Sequence, residues 1–150
     1  MTIHKSITIA RPPEVAFKVF CQEIGRWWPI KHGFSFGGER TVNMFIEGQV
    51  GGRFYEVASD GTQLEIGRVT AYEPPRMVAF TWRAPSWEIP TQVEVRFSAD
   101  GTGTRVELDH VGWEHLPAPG DSRKSYDGGW DFVLGEYRTQ ADAISASGRA

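Results

Sequence analysis

Hydrophobic and polar residues alternate along much of the chain, which is the pattern of β-strands that are buried on one face. In the clearest segment, Val78, Phe80 and Trp82 fall on the same face. Pro74 and Pro75 precede this segment, and because proline has no N–H for a sheet ladder, they predict a turn between two strands. The alternation predicts about six to seven strands, at residues 3–10, 41–47, 53–57, 64–72, 78–83, 91–97 and 104–111.

Three other segments show helical spacing. A first helix is predicted after Pro12 and Pro13, since proline is tolerated in a first helical turn, and a second short helix covers residues 24–28. Residues 116–123 are rich in proline and glycine and are predicted to be a linker. A long helix follows this linker, and its single apolar stripe is formed by Tyr126, Trp130, Val133, Leu134, Tyr137, Ala141 and Ile144.

This order of elements predicts an α+β fold. The antiparallel sheet has one apolar face and the last helix has one apolar stripe, so we expect the sheet to curve around that helix and to leave room between them. Glycines 128, 129 and 135 remove side-chain volume along the helix and favour such a space. With no internal repeat, the chain is predicted to be one domain, residues 1–150, with its core at about residues 3–145.

The composition narrows the classes of partner. Six tryptophans and nine phenylalanines in 150 residues indicate bulky lining for a core or a pocket. A net charge of −3 argues against a nucleic-acid partner, and no apolar run approaches the roughly 18 residues that span a bilayer. Cys21 is the only cysteine, and the first residues lack a signal-peptide core, so we expect a cytoplasmic protein without disulfides or a membrane partner.

Short motifs along the chain add a family resemblance. In order, they are PEVAF at 13–17, WWP at 27–29, GGRF at 51–54, GRV at 67–69, EPPR at 73–76, FTW at 80–82, GTRVEL at 103–108 and GGW at 128–130. With these motifs the chain resembles the activator-of-heat-shock-protein-ninety-ATPase homologue family of the START-like, birch-pollen-allergen helix-grip superfamily (SRPBCC). The resemblance covers roughly residues 3–145. It implies a helix-grip fold, in which a curved sheet wraps around the last helix.

The resemblance leaves three functions open, because the family is similar to a set of cavity proteins with different roles. The favoured one is binding of a small hydrophobic molecule in an internal cavity, without chemistry. The second is an enzyme of cyclase or dehydratase type that uses the same cavity. The third is a protein-interaction module similar to the co-chaperones of the family.

Two polar residues are candidates for chemistry in such a cavity. His110 points inward if its strand buries Val106 and Leu108, and it is then either a pocket acid or base or a core histidine with satisfied hydrogen bonds. Glu56 shares a face with Phe54, and it is either an inward carboxyl group, whose neutral form desolvation would favour, or a surface carboxylate.

The predicted ligand site combines these two residues with the aromatic and aliphatic residues expected to face inward. It consists of Trp27, Trp28, Phe34, Met44, Phe54, Glu56, Phe80, Trp82, His110, Trp130 and Leu134. No residue is assigned as catalytic. No cofactor or metal is predicted, because the sequence has no cysteine pair and no His-Glu-x-x-His motif.

A weak homodimer is also predicted. Phe45 falls on the outward side of its strand, and Trp87 and Ile89 lie in a loop that looks exposed. Exposed aromatic residues are enriched at interfaces, so this surface is the expected contact.

Overall fold

A curved seven-stranded antiparallel sheet holds one long helix against its concave face in the computed structural model, which describes residues 2–144. The strands are β1 (Ile3–Ile9), β2 (Thr41–Ile46), β3 (Arg53–Ala58), β4 (Gln63–Glu73), β5 (Met77–Trp82), β6 (Thr91–Asp100) and β7 (Gly103–Val111). The helices are α1 (Pro13–Cys21), α2 (Ile24–Trp27) and α3 (Pro119–Asp142). The predicted α+β helix-grip architecture is confirmed.

The strands follow the spatial order β1-β7-β6-β5-β4-β3-β2. Each neighbouring pair is antiparallel, and the first strand joins the last, with Ile3 opposite His110. The predicted domain core at about 3–145 extends one residue beyond the described range, and the single-domain organisation remains a prediction.

The inward faces of the central strands follow the predicted alternation. The side chains of β5, β6 and β7 that were expected to face the helix are all buried; they are Val78, Phe80, Trp82, Val93, Val95, Phe97, Val106, Leu108 and His110. Because a strand side chain changes face at every residue, a continuous buried set of this kind fixes the register of each strand against the core.

Strand β2 departs from the prediction. Its pairing with β3 shifts between Thr41 and Asn43, so that the simple alternation is interrupted there. Simple alternation over the predicted strand 41–47 would place Val42 and Met44 on one face, but Val42 is 59% exposed while Met44 is buried, so that alternation is wrong here. An irregularity of this type turns the preceding side chains relative to the following ones.

The predicted linker at 116–123 is wrong in its second part, because α3 begins at Pro119. Proline fits the first turn of a helix, where its missing N–H costs nothing, and the same residue therefore opens this helix. Ala118 precedes it with a φ of 48°, in the left-handed region. The apolar stripe of α3 is buried as predicted from Trp130 to Ala141, and Ile144, just beyond the end of the helix, is buried as well.

Gly67 is required by close packing between two strands. A Cβ atom at this position would lie 1.7 Å from the carbonyl oxygen of Thr81 on β5. No larger residue fits there without moving the backbone, so Gly67 allows β4 to approach the segment that ends at Trp82.

Helix α3 is attached to the beginning of the chain by polar contacts. The backbone N–H of Ala10 donates to the Asp142 carboxylate at 2.8 Å, and Arg11 donates to the carbonyl oxygens of Asp142 and Ile144. Nearer its other end, Lys5 of β1 pairs with Asp127 and Asp131. Within residues 2–144, none of the helices is both long enough and apolar enough to cross a membrane.

Candidate ligand cavity

A cavity of about 270 Å³ lies between α3, the sheet and the loop that follows α2. Aromatic rings form most of its wall, and a few polar groups border it. The lining residues are Trp28, Gly33, Phe34, Ser35, Phe36, Met44, Glu56, Trp82, Ser125, Tyr126, Gly129, Trp130 and Val133.

Three tryptophans form the main wall of the cavity. The ring centroids of Trp28, Trp82 and Trp130 lie 5.9–6.0 Å from one another. Each indole N–H donates a hydrogen bond to the protein: Trp28 to the carbonyl oxygen of Phe34 at 2.5 Å, Trp82 to the hydroxyl oxygen of Tyr126 at 3.0 Å, and Trp130 to Nδ1 of His110 at 2.9 Å. The surface that these rings offer to the cavity is therefore apolar.

His110 lies behind this wall and does not border the cavity. Its Nδ1 accepts the N–H of Trp130, so in the neutral ring the proton is on Nε2, which lies 2.6 Å from the hydroxyl oxygen of Thr91. The Thr91 hydroxyl donates in turn to the carbonyl oxygen of Trp82 at 2.9 Å. His110 is thus the core histidine of the two alternatives, and burial lowers its pKa to about 3.

Glu56 points inward together with Phe54, and its side chain is 2% exposed, so the surface alternative is wrong. Its Oε1 accepts from the N–H of Gly37 and the hydroxyl of Thr41, both at 2.9 Å, and its Oε2 accepts from the N–H of Phe36 at 2.7 Å. The carboxyl group therefore fixes the loop over the cavity to strand β3.

The same loop is held to α3 by aromatic contacts. The ring of Phe34 stacks on Phe132 with centroids 5.1 Å apart and planes 3° apart, and His32 packs against the same phenylalanine. With Glu56 on one side and Phe132 on the other, the loop spans the space between sheet and helix.

Six of the eleven predicted site residues border the cavity: Trp28, Phe34, Met44, Glu56, Trp82 and Trp130. The other five lie in the core around it, because an inward side chain on the sheet or the helix can also be covered by protein. Phe54, Phe80 and Leu134 are buried there, Trp27 packs on Phe20 and Tyr137, and His110 lies behind Trp130.

The predicted site left out the remaining lining residues. Tyr126 and Val133 belong to the predicted apolar stripe of the last helix, four before and three after Trp130, and the stripe itself pointed to them. Phe36, Gly33 and Ser35 belong to a loop, whose path no periodicity predicts. Whether Ser125 and Gly129 face the cavity depends on where α3 begins and how it is rotated. The predicted linker placed the start of this helix too late, so their facing could not be predicted.

Two further expectations are corrected near the cavity. Of the three α3 glycines that were expected to open the space, 128, 129 and 135, only Gly129 borders the cavity, since a Cβ atom at Gly128 or Gly135 would meet nothing within 4 Å. Trp87 is partly buried against the core, with its ring 6.1 Å from Trp113 and 5.7 Å from Tyr126, and it is not an exposed loop residue.

Comparison with protein families matches residues 10–136 to the family described as Activator of Hsp90 ATPase homolog 1-like protein. This range is most of the chain. A search of the curated proteins found no significant match.

Solved structures give further similarities. The anthrahydroquino-gamma-pyrone synthase Txn09 is 32% identical, with a TM-score of 0.64 over 92% of this chain and 95% of that one. The self-sacrificing resistance protein CalC from Micromonospora echinospora is 24% identical, with a TM-score of 0.69 over 97% of this chain and 96% of that one. The Aha1 dimer from Colwellia psychrerythraea is 16% identical, with a TM-score of 0.70 over 95% of this chain and 97% of that one.

Proposed function

Because the chain belongs to the family of Activator of Hsp90 ATPase homolog 1-like proteins, whose START-like fold commonly binds hydrophobic ligands, we propose that it binds a small aromatic molecule in the cavity between α3 and the sheet. The observation behind this proposal is the wall of Trp28, Trp82 and Trp130. All three indole N–H groups are used inside the protein, so the rings offer their apolar surfaces to a guest.

The size of the cavity sets the size of the ligand. A dry apolar cavity of about 150 Å³ in another protein accommodates benzene. The cavity here has about 270 Å³, which corresponds to a molecule of about two fused rings. The name of the relative at 32% identity describes a fused aromatic product, and this supports the same chemical class for the present chain.

Binding of the bicyclic hydrocarbon tetralin tests the proposal. We expect tetralin to change the tryptophan emission and to raise the melting temperature by mass action. Trp130→Ala removes part of the wall and should weaken binding, whereas Phe45→Ala on the outer face of β2 should not. Absence of any shift in the wild-type protein up to the solubility limit of tetralin would contradict the proposal.

A synthase-type reaction in the same cavity is the second candidate, favoured by the 32% identical synthase. Among the described residues, Glu56 supplies the carboxyl group that borders the cavity, while both ring nitrogens of His110 are already hydrogen-bonded. An enzyme of cyclase or dehydratase type would convert a bound polyketide-like compound into an isomer or a dehydrated product, and Glu56→Gln would bind that compound without converting it. Liquid chromatography coupled to mass spectrometry of the incubated compound detects either product and separates this candidate from simple binding.

We also propose weak self-association through the outer side of β2. Phe45 is 40% exposed on this strand, and Ile89, in the loop between β5 and β6, is 48% exposed. A structurally similar protein is described as a dimer. The third function is an interaction module without a ligand. Such a module requires a core that is filled by its own side chains, and the cavity of about 270 Å³ disfavours this function.

A further inference from the structure

The polar groups at the cavity can be sorted by which of their hydrogen bonds are already made inside the protein. The three wall tryptophans have no N–H left to offer. The Ser35 hydroxyl donates to the carbonyl oxygen of Gly38 at 3.2 Å, and Ser125 is exposed to water. Among the side chains that line the cavity, Tyr126 keeps a hydrogen-bond donor to spare, and the buried carboxyl group of Glu56 keeps an acceptor site to spare.

Tyr126 has an unused donor. Its hydroxyl oxygen accepts the indole N–H of Trp82, and among the hydrogen bonds of the described residues the hydroxyl group donates none. The ring is held between aromatic neighbours, with centroids 5.3 Å from Trp113 and 5.8 Å from Trp82. Burial raises the pKa of Tyr126, so the hydroxyl keeps its proton at neutral pH. A positioned O–H group at the wall of an apolar cavity can bind an acceptor oxygen of a ligand.

Glu56 has an unused acceptor site. A carboxylate has about four lone-pair sites on its two oxygens. Oε1 receives two donors, from Gly37 and Thr41, but Oε2 receives only the N–H of Phe36. The second site of Oε2 is free for a donor, and Glu56 borders the cavity. The carboxyl group is immobilised by its three protein donors, which limits the entropy lost on binding.

We infer that the cavity selects an aromatic ligand that carries both a hydrogen-bond acceptor, such as a ketone oxygen, for Tyr126 and a donor, such as a phenol hydroxyl, for Glu56. The two groups lie on different walls, Tyr126 on α3 and Glu56 on β3, so the ligand presents them at separate positions. This inference rests on the proposed function and adds the polar pattern of the ligand to it. A plain hydrocarbon fills the same space without using either group.

Four probes of nearly equal shape separate these contributions. Tetralin carries neither group, 1-tetralone carries the acceptor, the phenol 5,6,7,8-tetrahydro-2-naphthol carries the donor, and 6-hydroxy-1-tetralone carries both. Dissociation constants are measured by calorimetry for wild type, Tyr126→Phe and Glu56→Gln. Tyr126→Phe should weaken the two ketones by about 2- to 10-fold and spare the other two probes. Glu56→Gln should weaken the two phenols by about 10-fold or more and spare the other two.

Matched control variants remove the same chemical group elsewhere. Tyr55→Phe removes a hydroxyl from the outer face of β3, where the ring packs on Phe45 and Arg53. Glu65→Gln removes an exposed carboxylate that pairs with Arg68. Both should bind all four probes as the wild type does.

The outcomes separate the two proposals. If all four probes bind and each variant weakens them equally, the two residues only support the fold, and the inference is wrong while ligand binding stands. If wild type binds none of the probes, both proposals are wrong. Because the Glu56 variant also loosens the loop, the methyl ether of the hydroxytetralone is tested on wild type as well. It should bind at least about threefold more weakly than the phenol, and equal binding contradicts the role of Glu56.

Discussion

Trp130 donates its indole N–H to Nδ1 of His110 at 2.9 Å, and this bond determines which nitrogen of the imidazole carries the proton. The proton on Nε2 points to Thr91, whose hydroxyl group donates to the backbone of Trp82. Two tryptophans of the cavity wall are thereby connected through one neutral histidine. The histidine acts on the wall by holding Trp130 in position, because its own ring does not reach the cavity.

Stability should fall in mild acid because of His110. Its folded-state pKa of about 3 lies below the roughly 6.5 of an unfolded histidine, so between these values the unfolded chain binds a proton that the folded chain does not. The contribution is present in full above about pH 6.5 and is lost as the pH falls, by up to about 1.4 kcal/mol per pH unit. Urea unfolding at pH 7, 5.5 and 4.5 should show a shallower dependence for His110→Gln than for wild type. Identical pH profiles would contradict this assignment.

Replacement of His110 by leucine should reduce stability at neutral pH. His110→Leu leaves the buried N–H of Trp130 without an acceptor, which costs about 1–3 kcal/mol. We expect this loss in the free energy of unfolding measured by urea melts. The free energy of tetralin binding should change less than the free energy of unfolding does. His4→Leu is the control, because His4 lies half-exposed on the outer face of the sheet and pairs with Asp109. An unchanged melt for His110→Leu would show that the buried contact contributes nothing.

Gly128 and Gly129 form a matched pair for blocking the cavity. Gly129→Leu places a side chain next to Phe34, whose ring would lie 3.6 Å from the new Cβ atom, and should reduce tetralin affinity at least about tenfold by filling the space. Gly128→Leu points to open solvent and should leave affinity unchanged.

The alanine variants of the same pair report on the helix alone. Each should raise the free energy of unfolding by about 1 kcal/mol, because alanine favours the helix more than glycine does. Thermal unfolding checks this effect.

The leucine variants also have an outcome that contradicts the cavity. If Gly129→Leu binds tetralin as tightly as Gly128→Leu, the ligand occupies another place.

Self-association should depend on Phe45. The 40% exposed ring lies on β2, and Phe45→Ser should shift sedimentation at high concentration towards the monomer mass of 16.8 kDa. Val111→Ser removes a residue of similar exposure, 37%, from β7 and serves as the control. A wild-type protein that sediments as a monomer at every concentration would refute the dimer.

The alternating pattern predicted the sheet well because it reports burial directly. Phe80 and Val95 point inward since every second residue of a half-buried strand does so. The start of α3 was mispredicted because proline both ends and begins helices, and only the preceding backbone at Ala118 decides between the two. Local sequence rules thus recovered the framework, but they misplaced the start of α3 and the facing of Val42 in β2.

The cavity was harder to predict than the fold. Trp27 and Trp28 are adjacent and both buried, yet only Trp28 reaches the cavity. The helix α2 ends at Trp27, and the ring of Trp28 beyond it packs on Trp82 and Trp130 of the cavity wall. The position of Phe36 depends on bonds between its loop and Glu56, which join residues far apart in sequence. The partial burial of Trp87 also depends on its packing against Trp113 and Tyr126.

The pairing of β1 with β7 has a consequence for synthesis on the ribosome. Ile3 and Ile9 are synthesised about 100 residues before their strand partners, His110 and Thr104. At roughly 5–20 residues per second, β1 waits on the order of ten seconds without its neighbour. The anchors of α3 at Asp142 come later still. A ligand can therefore stabilise only a chain whose translation has passed β7 and α3, and it cannot rescue one that stalls earlier.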